Sequence, residues 1–201
     1  HMDTGAPAKR IAQSASGPDI KMNTKKMTTL DMVYIALFAC LMAICAWISI
    51  PAQIPFTLQT MGVFLAVGLL GGKRGTLAVL VYILMGAVGL PVFSGMTGGV
   101  GKLLGMTGGY IVGFLASALV MWLMERLLGK KLWVLGLSMV LGLIACYAFG
   151  SAWFLVVYTG SKGPITLGAV LGMCVIPYIL PDLIKIALAL TLTKVLKRYV
   201  K

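Results

Sequence analysis

Two ionisable residues in an apolar stretch near the C-terminus, Asp182 and Lys185, are the first candidates for chemistry. Their spacing of three places both on one face of a helix, and Tyr178, four residues before the acid, continues that face. Ionisable groups inside a membrane-spanning segment are costly, so they usually pair and face a cavity. The pattern therefore predicts a polar ligand site, and the alternative is a salt bridge that only fixes the helix.

A glycine-rich segment, residues 92–109, is the second candidate for a ligand site. Its seven glycines alternate with Val, Phe, Met and Leu, whereas a solvated linker would be rich in serine and charge. Glycine lets the backbone approach a ligand closely, and irregular backbone within a membrane is tolerated where it lines a cavity. The candidate contacts in and beside this segment are Phe93, Thr97, Gly98, Gly99, Lys102, Thr107, Gly108 and Tyr110.

Three polar residues in earlier apolar runs are further candidates. Gln59 and Thr60 stand at the start of one run, and Tyr82 lies within the next. Each is as compatible with a hydrogen bond between helices as with contact to a ligand.

Small residues recur at spacings of three and four in the first apolar run: Ala36, Ala39, Cys40 and Ala43. A face of small residues lets a helix approach a neighbour closely. The neighbour is either another helix of the same bundle or a second membrane protein, and the sequence leaves both open.

Several chemistries are disfavoured by the residues present. The only histidine is His1, and the four cysteines, at positions 40, 45, 146 and 174, form no CxxC pair, so we expect no metal. In the stretch GGVGKLLG, Lys102 is followed by leucine, whereas a phosphate-binding loop needs a serine or threonine there. We therefore expect neither a bound cofactor nor an enzyme.

The composition indicates a membrane protein, because 60% of the residues are hydrophobic and 11% are charged. In a typical soluble domain roughly 45–50% of the residues are hydrophobic and about 25% are charged. Gly, Pro and charge divide the chain into six predicted spans, residues 30–50, 57–70, 76–90, 109–128, 132–158 and 181–198. The last is predicted to begin near Pro181, since proline is favoured at the first helical position. Residues 167–176 are predicted to form a short helix or re-entrant segment.

The basic residues predict the orientation of these spans. We expect residues 1–26 to be a tag or linker remnant and residues 27–201 to be a single six-helix membrane domain. With six spans, 14 of the 17 basic residues fall on one side, and only Lys102 and Lys162 fall on the other. Lys and Arg accumulate in cytoplasmic loops. The expected fold is an all-α integral membrane protein with both termini cytoplasmic, and no nucleic-acid partner is expected despite the net charge of +12.

Four short motifs together resemble the BioY family, the biotin-binding S components of energy-coupling factor (ECF) transporters. They are Thr57-Leu58-Gln59-Thr60, Gly89-Leu90-Pro91-Val92-Phe93, Thr107-Gly108-Gly109-Tyr110 and Pro181-Asp182-x-x-Lys185. The resemblance implies the six-helix S-component fold, with biotin bound near the outer face by Asp182, Lys185, the glycine-rich loop and Gln59. It leaves Lys102 and Lys185 as alternative partners of the biotin carboxylate. The alanine face of the first helix would meet the transmembrane coupling subunit.

The expected function is high-affinity biotin capture in a bacterial or archaeal cell membrane. The resemblance also implies two cytoplasmic ATPase subunits as energy source, and membrane lipid as the surroundings. The alternatives are an S component for another vitamin and a biotin carrier that works alone.

Overall fold

The computed structural model describes residues 26–200, and this part of the chain is mostly helical. The predicted leader, residues 1–26, lies outside the described residues except for Lys26, so its role stays a prediction. The elements in chain order are α1 Thr29–Trp47, β1 Ser49–Ile50, β2 Phe56–Thr57, α2 Gln59–Leu70, α3 Gly72–Ala87, α4 Val100–Leu104, α5 Gly108–Leu128, α6 Leu132–Lys162, α7 Leu167–Cys174 and α8 Ile176–Leu196.

Three of the helices within residues 26–200, α1, α5 and α6, are long and apolar enough to cross a membrane. The bent pair α7 and α8, which meet at 42°, would make a fourth span. Helices α2 and α3 have only 12 and 16 residues, and a span needs about 17–25 residues. The described residues thus contain three or four span candidates where the sequence predicted six.

Most predicted breaks coincide with helix ends. Thr28 and Asp31 form a capping box that starts α1. Gly71, at a φ of +84°, separates α2 from α3 in a conformation that side-chain-bearing residues rarely adopt. The glycine-based breaks in the sequence therefore marked real helix ends.

The predicted start of the last helix at Pro181 is wrong. Helix α8 begins at Ile176 and continues through Pro181, so Asp182 lies beyond the first turn. The proline in the first turn is Pro177, where the missing N–H breaks no helical hydrogen bond. The short helix predicted within residues 167–176 is confirmed as α7.

Helix α2 is the centre of the bundle. Ten of its 12 residues are buried, and it packs against α1, α3 and α8. A helix that is apolar on all sides belongs in the interior of a protein or in a membrane. Its burial explains why so short a helix carries so few polar residues.

The small-residue face of α1 is divided between the interior and the surface. Ala39 and Ala43 have exposed fractions of 0% and 5%, on the side where α1 packs against α2 and α3. Ala36 and Cys40 are exposed. Ala39 and Ala43 thus serve packing within the bundle, and the docking role expected of the four residues stays a prediction for the exposed pair.

Candidate functional site

A cavity of about 620 Å³, including its part open to solvent, lies among α2, α5, α6, α7, α8 and the chain before α2. Seven predicted site residues line it: Gln59, Thr60, Thr107, Tyr110, Tyr178, Asp182 and Lys185. The remaining lining residues are Ile54, Pro55, Thr57, Ser94, Ile111, Phe114, Cys146, Tyr147 and Cys174.

The ion pair of α8 forms the polar centre of this cavity. The Nζ of Lys185 lies 2.8 Å from Oδ1 of Asp182, and the two side chains are only 6% and 5% exposed. The spacing of three puts both on one helix face, as expected. A pair so deeply buried must have its other hydrogen-bonding positions filled, because desolvation of two charges is expensive.

The protein fills most of those positions from distant parts of the chain. Thr60 donates its hydroxyl proton to Oδ1 of Asp182 at 3.2 Å, and the hydroxyl of Tyr147 donates to Oδ2. Lys185 donates to the backbone carbonyl of Thr57 at 2.6 Å, and its Nζ lies 4.2 Å from the ring centroid of Phe56. The pair thus ties α8 to α6 and to the start of α2.

Some hydrogen-bonding capacity is left over. A carboxylate offers about four lone pairs and an ammonium three protons. Three donors reach Asp182 and two acceptors reach Lys185, which leaves one acceptor and one donor position. The Nε2 of Gln59, whose residue is 3% exposed, adds a buried donor without a partner among residues 26–200. A ligand that both donates and accepts would satisfy all three.

The walls around this polar centre are aromatic and aliphatic. Ile54, Ile111 and Phe114 contribute apolar side chains. Tyr110 shares a hydrogen bond of 3.1 Å with Ser151, and the hydroxyl of Tyr178 donates to the carbonyl of Ile54. Because both hydroxyls bond to protein, these tyrosines offer mainly their rings to an occupant.

Two predicted contacts, Tyr82 and Phe93, lie in the core instead of lining the cavity. Both are fully buried, and their rings meet edge to face with centroids 5.6 Å apart. The hydroxyl of Tyr82 donates to the carbonyl of Val92 at 3.0 Å. In this arrangement they anchor the glycine-rich segment to α3.

The glycine-rich segment folds back on the end of α3. The N–H of Gly99 donates to the carbonyl of Gly86 at 2.6 Å, and a Cβ at Gly98 would strike the carbonyl of Leu90. Within this segment only Ser94 and Thr107 reach the cavity lining. Besides Tyr82 and Phe93, five residues predicted as contacts stand outside the lining: Thr97, Gly98, Gly99, Lys102 and Gly108.

Tyr147 is the side-chain partner of the buried ion pair that sequence reasoning missed. It lies within the apolar run of α6 and 35 residues from the aspartate that it contacts. The only signal in the sequence was a tyrosine in the middle of a mainly apolar helix, since a buried phenolic hydroxyl needs a partner.

Known proteins of similar sequence share one family name, and one solved structure has a similar fold. The sequence profile of the BioY family matches residues 21–201. A "Biotin transporter BioY" from Thermotoga maritima is 39% identical over 169 residues, which cover 84% of this chain and 96% of that protein. A "Probable biotin transporter BioY" from Pyrococcus horikoshii is 36% identical over equal shares. A crystal structure described as "the S-component for biotin from an ECF-type ABC transporter" matches with a TM-score of 0.75 and 25% identity, over 86% of this chain and 95% of that one.

Proposed function

The chain belongs to the BioY family, and on this premise we propose that it is the biotin-binding membrane subunit, or S component, of an ECF-type ABC transporter. It is a multi-pass protein of the cell membrane that carries out transport rather than catalysis. The observation that carries the proposal is that three buried polar residues, Asp182, Lys185 and Gln59, line one cavity with apolar and aromatic walls.

The hydrogen-bonding capacity of this cluster complements the ureido ring of biotin. That ring has two N–H donors and one carbonyl acceptor. The unused lone pair of Asp182 accepts from a ureido N–H, while the third proton of Lys185 and the amide of Gln59 donate to the carbonyl. Hydrogen bonds to charged groups are stronger than neutral ones, so the two ionised side chains dominate this recognition.

The apolar walls suit the rest of the ligand. The sulfur-containing ring and the valeryl chain would lie against Ile54, Ile111, Phe114 and the tyrosine rings. Of the two candidate partners for the carboxylate, Lys102 stands outside the lining and Lys185 is part of it. Because the one free proton of Lys185 is assigned to the ureido carbonyl, no basic residue that lines the cavity within residues 26–200 is left for the carboxylate.

The proposed partners are a transmembrane coupling subunit and two cytoplasmic ATPases. The proposed orientation has six membrane crossings with both termini in the cytoplasm, because the basic residues concentrate at the end opposite the cavity. Ala36 and Cys40, exposed on α1, are the part of the small-residue face that remains available to the coupling subunit.

Isothermal titration of the detergent-purified full chain with biotin tests the proposal. We expect tight binding of biotin and of desthiobiotin, which keeps the ureido ring. We expect weaker binding of 2-iminobiotin, whose cationic form places a positive charge beside Lys185. A chain that binds none of these compounds refutes the proposal, and one that binds another vitamin more tightly supports the alternative S component.

Uptake of labelled biotin by cells with and without the ATPase subunits tests the coupling. We expect uptake only when the ATPases are present. Equal uptake in both strains would identify a carrier that works alone.

A further inference from the structure

A second cavity, of about 750 Å³ including its part open to solvent, lies at the opposite end of the bundle. Both cavities are lined by the same four helices, or by residues directly next to their ends: α2, α5, α6 and α8. On α2, Gln59 lines the first cavity and Leu69 lines the second. These two residues are ten positions apart, which corresponds to about 15 Å along a helix. The bundle therefore carries two separate cavities, and the proposed biotin site occupies only one.

The second cavity has a strong excess of positive charge. Four basic residues line it, Arg74, Lys130, Lys131 and Lys197, against one acid, Glu125. The acid is already engaged, because its Oε2 accepts the N–H of Gly72 at 2.6 Å and its Oε1 lies 3.2 Å from Lys130. Its charge therefore offsets only part of the basic charge at this cavity.

Two of the four basic residues have no counter-charge among residues 26–200. Arg74 pairs with Asp31 at 2.7 Å, and Lys130 pairs with Glu125. The side chains of Lys131 and Lys197 form no ion pair or hydrogen bond within residues 26–200. They stand next to the ends of two different helices, so the fold brings to one cavity two lysines that have no ion-pair partner in the described part of the chain.

The position of Lys131 strengthens the case for a bound anion. It is the N-cap residue of the 31-residue helix α6 and provides no side-chain cap. The free N–H groups and the dipole of a helix N-terminus attract anions and repel cations. An anion in the cavity would interact favourably with both this helix end and the lysine beside it.

The walls of the same cavity are apolar, with contributions from Val67, Leu69, Leu70, Met121, Val134, Leu135 and Val200. Inorganic phosphate would gain nothing from such walls, whereas a lipid would place hydrocarbon against them. We propose that this cavity binds an anionic phospholipid, with its phosphate at Lys131 and Lys197 and its glycerol and upper acyl chain along the apolar wall. Basic pockets between membrane helices are suited to such headgroups.

A thermal-shift titration of the purified full chain with two dioleoyl lipids tests this inference. We expect phosphatidylglycerol, and not phosphatidylcholine, to raise the unfolding midpoint, since a ligand that binds only the folded state stabilises it. In the double variant K131Q/K197Q, the phosphatidylglycerol concentration needed for half the shift should rise on the order of 30-fold, at about fivefold for each lysine.

The matched control is K73Q/K194Q, which removes two exposed lysines that do not line the cavity. We expect this control to respond to phosphatidylglycerol like the unmodified chain. Equal losses in the two double variants would overturn the inference, because they would show diffuse charge attraction. It would also be overturned if the two lipids acted equally, or if glycerol 3-phosphate alone reproduced the shift. Biotin titration of both variants checks folding independently, since neither changes the biotin cavity.

Discussion

The Asp182→Asn variant would separate ligand recognition from structural pairing in the biotin cavity. The substitution nearly preserves shape while it removes the charge and replaces two acceptor oxygens by one oxygen and an NH₂ donor. In the structure the carboxylate accepts from Thr60, Tyr147 and Lys185. An amide cannot accept from all three through one oxygen and still accept from a ligand, so the ureido N–H loses its partner.

The expected loss of affinity follows from the bond that disappears. A hydrogen bond to a charged group contributes about 1.5–3 kcal/mol, and each 1.4 kcal/mol corresponds to about a tenfold change in Kd. Biotin should therefore bind about 10- to 150-fold more weakly to Asp182→Asn. The free energy of unfolding should also fall, by roughly 3–5 kcal/mol, because the buried ammonium of Lys185 loses its counter-charge.

Isothermal titration and thermal unfolding of the same preparations measure the two effects separately. Asp31→Asn is the matched control, because Asp31 also pairs with a basic side chain but is outside the cavity. The double variant Asp182→Asn/Lys185→Met should recover part of the stability without recovering biotin affinity. If Asp182→Asn lost stability but bound biotin as tightly as the unmodified chain, the pair would be structural only, and the proposed recognition would be refuted.

Three further predictions concern the surroundings of the site. Tyr147→Phe removes one donor to the buried carboxylate and should weaken biotin binding in the same titration, by less than the aspartate variant does. The control Tyr158→Phe, on the same helix but outside the cavity lining, should leave biotin binding unchanged. Equal effects of the two variants would contradict the role assigned to Tyr147. Gly98→Ala should destabilise the fold by about 1–3 kcal/mol in thermal unfolding, because the new methyl group meets a backbone carbonyl. Gly101→Ala adds a methyl group with nothing within 4 Å and should not lower the midpoint, so equal losses would contradict the packing argument. Ala36→Trp should reduce ATP-dependent biotin uptake while the purified chain still binds biotin, and unchanged uptake would exclude this exposed part of α1 as the docking surface.

Features set by local sequence were predictable. Gly71 lies between two helices, as expected, because its positive φ is readily adopted only by glycine. Asp182 and Lys185 attracted attention because charge is rare in an apolar segment, and they lie at the centre of the cavity. The helix break at Gly71 and the polar site at Asp182 and Lys185 can both be inferred from the type of a residue and from its neighbours in the sequence.

Features set by distant contacts were not predictable. The spacing of Ala39 and Ala43 indicates close packing on one side but cannot tell a helix of the same chain from another protein. Likewise, the glycines of residues 92–109 indicated close backbone contact, and at Gly98 the contacted group is the carbonyl of Leu90 rather than a ligand. In each case the local pattern specifies the kind of contact, and the tertiary fold selects the partner.

The energetics of the buried pair also argue for a ligand. Stability alone does not explain why a protein would bury an ion pair, because well-packed apolar residues of similar volume often stabilise the folded state as well or better. An apolar replacement for Asp182 and Lys185 could fill space between α2 and α8, but it would present no acceptor or donor to the cavity. The protein commits Thr60, Tyr147 and the carbonyl of Thr57 to keep this pair charged and partnered. These polar contacts have a physical reason if the hydrogen-bonding positions that remain on Asp182 and Lys185 bind biotin.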